Sequence, residues 1–488
     1  MDSNQKNIHK HIPKPSQNPV GDKFLTPRQK TQFLTIGTGI VIVVLLIFGI
    51  MALVKSLDFS AIIFSFGKNL RTDQYGHTNI LLAGLGGEGH DGADLTDTIM
   101  VASIDYDHHL VSMLSIPRDL YVKSEKLKEG ERINQIYSVG KNLYNSATGM
   151  QELANIASGI TGVQIDYYVK VDFKGFVKIV DSLGGVDVVV EKDIYDPFYP
   201  LGETTRYQTF SLKAGPQHLD GEPALKYARS RKTTSDFDRA LRQQQLMMAI
   251  KEKALSLNIL TDPGKIQELY NSLSDSIETN LSVNEILGLA KISKDFKKEN
   301  VLSNVLSDNP AECGGFLYTP AREFFNNSSV LLPAGKNYDA IHTFTKLLFM
   351  HPDLLKAQDQ IQILNGTKTP NVAGEVTSFL NRICLNVIYY GNAADRDIQQ
   401  STIFYKPGPK GEKPEILDFL STYLPFNEVP GIPAEDLNSD KKKDTDVVIE
   451  LGKDYLSNRI TNPFDVLPYY EAPITQTQLS TQQDQSTK

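Results

Sequence analysis

The side chains best suited to chemistry fall in three places. Lys226, Arg229, Arg231, Lys232, Arg239 and Arg242 crowd into LKYARSRKTTSDFDRALRQQQ, residues 225–245, against Asp236 and Asp238. The local balance is +4 in a chain whose net charge is −8. A guanidinium is permanently charged and its planar fork of donors grips two oxygens at once, so such a grouping suits a phosphate. Asp97, in DLTDT, stands just before an apolar run, and Arg118 and Asp119, in SIPRDLYV, just after another. Two carboxylates plus phosphate oxygens make a normal Mg2+ site, because that ion keeps several waters and needs few protein ligands. Singly, a basic loop is usually solvated surface and an Asp beside a strand is usually a turn or cap. Together, at strand ends, they point to phosphoryl chemistry, which needs positioning and charge neutralisation and no nucleophile triad.

Positioning these groups requires a sheet with helices against it. Residues 78–85 (TNILLAGL), 98–104 and 110–116 are apolar runs of strand length, bounded by GGEGHDGAD and DYDHH. Helices are predicted over 143–160 and 173–182, flanking a strand at 167–173, with another strand at 184–190. This alternation implies a layered α/β domain with a central mixed sheet flanked by helices. Residues 219–253 read as helix, with Asp236 capping the part from Phe237 onward. If 229–231 is extended, Arg229 and Arg231 point the same way and form one wall of an anion site. Arg239 and Gln243 form the other from the helix start, where the dipole and free N–H groups also favour anions. Lys226 and Arg242 read as ordinary surface charges. Arg239, Gln243, Leu246 and Ile250 fall at i, i+4, i+7 and i+11, on one helix face. That order, phosphate grip and then apolar side chains, fits an amphiphile; equally, Leu246 and Ile250 fit simple core packing, since Leu241, Met248 and Leu255 form a second apolar face.

At 488 residues, with 40% hydrophobic and 22% charged residues, the chain is long enough for two or three domains. Residues 33–54 run 22 positions without a charge, the length of a transmembrane helix. Residues 1–32, a disordered tail, carry a charge of +4, and the positive-inside bias leaves them in the cytoplasm and exports everything after residue 54. The exported part then carries −12, which excludes general nucleic-acid binding. A stalk occupies 55–75, the first body 76–350, a linker 351–360, a small α/β module 361–456, and a disordered Thr/Gln/Ser-rich tail 457–488. Cys313 and Cys384, the only cysteines, lack any CxxC or Cys/His spacing, so neither a zinc site nor a disulfide scaffold is indicated, and a single bridge between them stays open.

The succession NILLAGLG, TDTIMVASI, SIPRDLYV, RINQIYSVG, DYYVKVDFKGFVKIVDSLGGVDV, LKAGPQHLDGEPALKYARSR and SDFDRALRQQQ resembles the catalytic domain of the LytR-CpsA-Psr family over about 76–350. IQILNGT and TDVVIELGKDY resemble the LytR C-terminal domain. The resemblance implies a phosphotransferase outside the cytoplasmic membrane that moves a glycopolymer from a polyprenyl-pyrophosphate carrier to peptidoglycan through a phosphodiester. By motif match it implies Mg2+ on Asp97 and Asp119, pyrophosphate on Arg118, Arg229, Arg231, Arg239 and Gln243, and a role for Asp236 in orienting arginines or activating the sugar hydroxyl. Two arginines usual in the family are absent: the first loop is GGEGHDGAD, and Leu95 stands before the Thr-Asp-Thr triplet. His90, glycine amides or Lys232 are the available substitutes. The same residues would also serve a polyprenyl-pyrophosphate hydrolase or a non-catalytic lipid-phosphate-binding surface protein.

Overall fold

The computed structural model describes residues 70–463, apart from 91, 124–129, 201–205, 231–235, 258–275, 283–284, 286–288, 290–299, 336, 425, 438–442 and 461–462. The expected membrane span at 33–54, the N-terminal tail, most of the C-terminal tail and of the stalk, Arg231 and Lys232 lie outside the described residues. Among the described residues no helix is long and apolar enough to cross a membrane.

Uncharged, apolar TNILLAGL forms β1 (Thr78–Leu85), buried almost throughout. It pairs antiparallel with β2 (Thr96–Asp105), which pairs antiparallel with β3 (Leu110–Ser115). Chain order continues through α1 (Ile136–Leu143), α2 (Ser146–Thr161), β4 (Tyr167–Asp172), α3 (Phe173–Ser182) and β5 (Val186–Val190). A hairpin of β6 (Ile194–Pro200) and β7 (Tyr207–Leu212) leads to β8 (Gly215–Leu219), α4 (Gly221–Arg229), α5 (Asp236–Ser256), β9 (Ile277–Thr279) and β10 (Val301–Val305). The central sheet has the order β9-β4-β1-β2-β3-β10, mixed as expected, with β4 parallel to β1 and β10 parallel to β3.

Alternation along the strands divides the core in two. Leu81, Ile99 and Val101 face α2, whereas Leu82, Met100 and Val169 face α3, α4 and α5. The predicted helix 143–160 is α2, starting three residues later, and α1 is a separate helix before it that the sequence reading did not predict. Tyr144 ends α1, and Asn145 caps α2, its side chain accepting from the Thr148 N–H as a short polar side chain at an N-cap does. The predicted helix 219–253 also breaks, after Arg229. Ser230 has an extended ψ of 137°, and α5 starts at Asp236 itself.

The chain continues through α6 (Asp339–Met350) and α7 (Pro352–Ala357), the latter standing where a linker was expected. A second, five-stranded sheet follows, built from β11 (Gln360–Asn365), β12 (Asn386–Asn392), β13 (Thr402–Tyr405), β14 (Asn427–Pro430) and β15 (Val447–Leu451), in the order β12-β11-β15-β13-β14. Helix α8 (Val372–Arg382) covers it. One buried apolar cluster runs from Leu81 and Val101 through Phe344, Leu348 and Leu355 to Ile363, Val376 and Ile449, so the two sheets share a core.

A covalent bond reinforces that join. Cys313 and Cys384 form a disulfide, their Cα atoms 4.7 Å apart, a pairing that the sequence left open. Two turns meet here, and the Gly314 N–H donates to the Arg382 carbonyl at 2.8 Å beside the bridge. The bond closes a separation of 71 residues. In the chain-entropy account a loop of that size stabilises by about 4 kcal/mol, so reduction, or Cys313→Ser, is expected to lower the denaturant midpoint markedly. An unchanged midpoint under dithiothreitol would show that the bridge adds nothing to the shared core.

Candidate functional site

Two groups of side chains gather at one edge of the central sheet, where β1 ends, β2 begins and β3 ends. The first is polar. Asp97, the second residue of β2 rather than a loop residue before it, sits at a bulge where the β1–β2 register steps from Gly84 opposite Thr98 to Leu85 opposite Thr96. Arg118 follows β3, and its Nη1 donates to Asp97 Oδ1 at 2.6 Å while its Nε lies 3.6 Å from Asp119 Oδ2. Arg132 approaches the other oxygen of Asp119 at 3.4 Å. Backbone bonds hold this turn in place: the Asn134 N–H donates to the Arg118 carbonyl and the Leu331 N–H to the Asp119 carbonyl. All four side chains remain 27–37% exposed, so a ligand can reach them. Arg132 opens the RINQIYSVG stretch, but the sequence assigned it no role at the site.

The second group surrounds an apolar cavity of about 930 Å³, counting its open mouth, between the sheet and α3, α4 and α5. Leu82, Met100 and Val171 form its floor, Phe173 and Phe176 of α3 one wall, and Leu246 and Ile250 of α5 the other. Asp172, Arg229 and Gln243 supply polar groups among the lining. Leu246 and Ile250 are therefore both core residues, 0% and 5% exposed, and cavity lining.

Arg229 sits at the last position of α4, so the expected extended pairing with Arg231 is replaced by a helix end. Its guanidinium lies 4.1 Å from the Phe173 ring centroid and donates to the Tyr199 hydroxyl at 3.3 Å. Burial pushes the Tyr199 phenol above its ordinary pKa, which keeps it a neutral partner for that cation. Gln243 Nε2 donates to the Ala228 carbonyl at 3.3 Å, tying α5 to α4 beside Arg229. Arg239 is half-buried one turn earlier on α5. The side chain of Asp236 lies outside what the structure describes, as do Arg231 and Lys232.

Arg242 corrects the surface reading. It is buried, with Nε donating to the Tyr227 carbonyl at 2.9 Å and Nη2 to the Ser230 carbonyl. These bonds take up carbonyls freed where α4 ends, so Arg242 holds the break between α4 and α5. The GGEGHDGAD loop folds toward the cavity. His90 meets Phe173 edge-on at 5.2 Å, and Gly87 has a φ of +78° at a point where a Cβ would lie 2.7 Å from Asp172. A left-handed backbone against a neighbouring side chain is a glycine position. Of the substitutes for the missing arginines, His90 thus lies beside a cavity wall. Among the described residues no group of three or more His, Cys, Asp or Glu side chains forms a metal cage.

Comparison with known proteins bears on both domains. A model of the LytR-CpsA-Psr family matches residues 58–346, and one described as LytR cell envelope-related transcriptional attenuator matches 358–455. The polyisoprenyl-teichoic acid–peptidoglycan teichoic acid transferase TagV of Bacillus subtilis is 34% identical over 219 residues, covering 44% of this chain and 52% of TagV. The match thus spans about half the length of that relative. The cell wall biosynthesis protein LcpA of Corynebacterium glutamicum is 25% identical over 370 residues, covering 69% of this chain and 68% of LcpA. A crystal structure of B. subtilis TagV aligns at 26% identity over 56% of this chain and 97% of that one, with a TM-score of 0.43. With one family model spanning more than half of its 488 residues, the chain belongs to the LytR-CpsA-Psr family.

Proposed function

We propose that this protein is a membrane-anchored phosphotransferase that moves a glycopolymer from a polyprenyl-pyrophosphate carrier to peptidoglycan as a phosphodiester. The observation that carries the reading is the apolar cavity with Arg229 and Gln243 in its lining, a match for a long hydrocarbon joined to a phosphate. The name of TagV, a teichoic acid transferase, supports the same class. In the reaction an acceptor sugar hydroxyl attacks the phosphorus bearing the glycopolymer. The new O–P bond forms as the bond to polyprenyl phosphate breaks, and the hydroxyl proton passes to Asp236. Charge building on the departing phosphate falls to Arg229, Arg231 and Arg239, with Arg118 on the transferred group.

Asp97 and Asp119 would hold Mg2+. They are oxygen donors converging on one guanidinium, and a site with two protein carboxylates fits an ion that takes its remaining ligands from water and substrate phosphates. When bound, Mg2+ supplies charge neutralisation on the pyrophosphate oxygens. Single-pass anchoring through 33–54, with the catalytic domain outside the cytoplasm, is supported by the Cys313–Cys384 bond, since disulfides persist in oxidising compartments.

Filling the cavity tests the lipid assignment. Val171→Phe projects a ring into the cavity from β4, and it is expected to lower kcat/KM for a long-chain donor by about tenfold while stability changes by less than about 1.5 kcal/mol. A donor with a truncated tail should be far less affected. Equal losses for both donors would remove the hydrocarbon from the cavity.

A further inference from the structure

The outer face of the β6–β7 hairpin carries aromatic side chains that transfer does not use. Tyr195, Phe198 and Tyr207 are 57%, 54% and 61% exposed, and the rings of Phe198 and Tyr207 meet edge-on at 5.9 Å. Tyr195 lies opposite Ser211, exposed Thr209 separates Ser211 from Tyr207 along β7, and the Asp193–Lys213 ion pair closes the face beyond Tyr195 and Ser211. Grouped exposed rings of this kind mark an interaction surface.

The inner face of the same hairpin is built into the site. The Tyr199 hydroxyl accepts from Arg229, and Asp196 Oδ2 accepts from Ser230 Oγ at 2.9 Å. Cavity and aromatic face therefore share one rim. A hydrocarbon drawn from a bilayer into the cavity carries the full hydration cost of every methylene that crosses water, so the rim works only where no water gap exists. Tyr and Phe are the side chains that settle at headgroup level, a polar tip on an apolar body in the case of Tyr. Among the described residues the charges on this face, Asp193 and Lys213, neutralise each other at 2.6 Å, so it offers no net positive charge to an anionic glycopolymer.

We propose that the β6–β7 hairpin docks on the bilayer surface through Tyr195, Phe198 and Tyr207, seating the cavity against the membrane. The inference rests on the polyprenyl reading of the cavity. The natural chain contains no tryptophan, so Phe198→Trp introduces a single fluorophore. The full chain is reconstituted, without any donor, in vesicles whose lipids are brominated at mid-chain. Emission from Phe198→Trp is expected to fall about twofold relative to unbrominated vesicles, as for an interfacial residue, whereas Tyr390→Trp, exposed on the C-terminal domain, stays bright. Tyr195→Trp is a second reporter on the same face should Phe198→Trp disturb the hairpin. Quenching of the hairpin reporters no greater than at Tyr390→Trp would overturn the proposal, as would an emission shift caused only by soluble phosphoglycan oligomers. Because the readout needs no donor, absent quenching with intact transfer rejects the docking alone, and quenching without transfer rejects the enzymatic reading alone.

Discussion

Arg229→Ala is expected to lower kcat for transfer from a polyprenyl-pyrophosphate donor by about two to three orders of magnitude, the usual cost of deleting a preorganised donor to developing charge. The side chain is held in place before substrate arrives. Stacking on Phe173 at 4.1 Å and the bond to Tyr199 at 3.3 Å fix the guanidinium beside the cavity. Its interaction strengthens as the leaving phosphate gains charge, so kcat falls more than KM rises. Arg229→Lys keeps the charge but loses the fork and the planar stack, and should recover only part of the rate. A fall of less than about threefold in Arg229→Ala would take this residue out of the anion site.

The second large effect concerns the carboxylates. Asp97→Asn should raise the Mg2+ concentration for half-maximal rate by at least about tenfold, because a two-carboxylate site loses half its charged ligands. Asp119→Asn should do the same, and the double substitution should fall short of the product of the two, since both carboxylates converge on Arg118. Chelation of Mg2+ should abolish transfer by the unaltered protein, and restoring the ion should recover it. Mg2+ titrations on the four proteins check all of this. Overlapping titration curves would assign Asp97 and Asp119 to holding Arg118 rather than a metal.

Much of the sheet was legible because its signals are local. The runs at 78–85 and 110–116 are apolar and bounded by turn residues, and they form β1 and β3 almost residue for residue. Asp97 and Arg118 were legible as strand-end residues, and they are in contact at 2.6 Å. What was missed depends on contacts between distant segments. The cavity is assembled from three strands and three helices, and no spacing along one of them encodes its volume. Arg242 reads as a surface cation only while α4 and α5 are taken as one helix. Once the chain breaks at Ser230, freed carbonyls draw the guanidinium inward. The Cys313–Cys384 bond spans 71 residues and two sheets, a proximity that no cysteine spacing announces.

The most direct test is a transfer assay with the purified full-length protein in vesicles, Mg2+, a lipid-pyrophosphate-linked glycopolymer labelled in its sugar, and peptidoglycan fragments. The label is expected to become covalently bound to the glycan fragments through an acid-labile phosphodiester, with polyprenyl monophosphate released in equal amount. Label released as free phosphorylated glycan, with none joined to peptidoglycan, would contradict transfer and establish hydrolysis, and label remaining on the lipid would leave a binding protein.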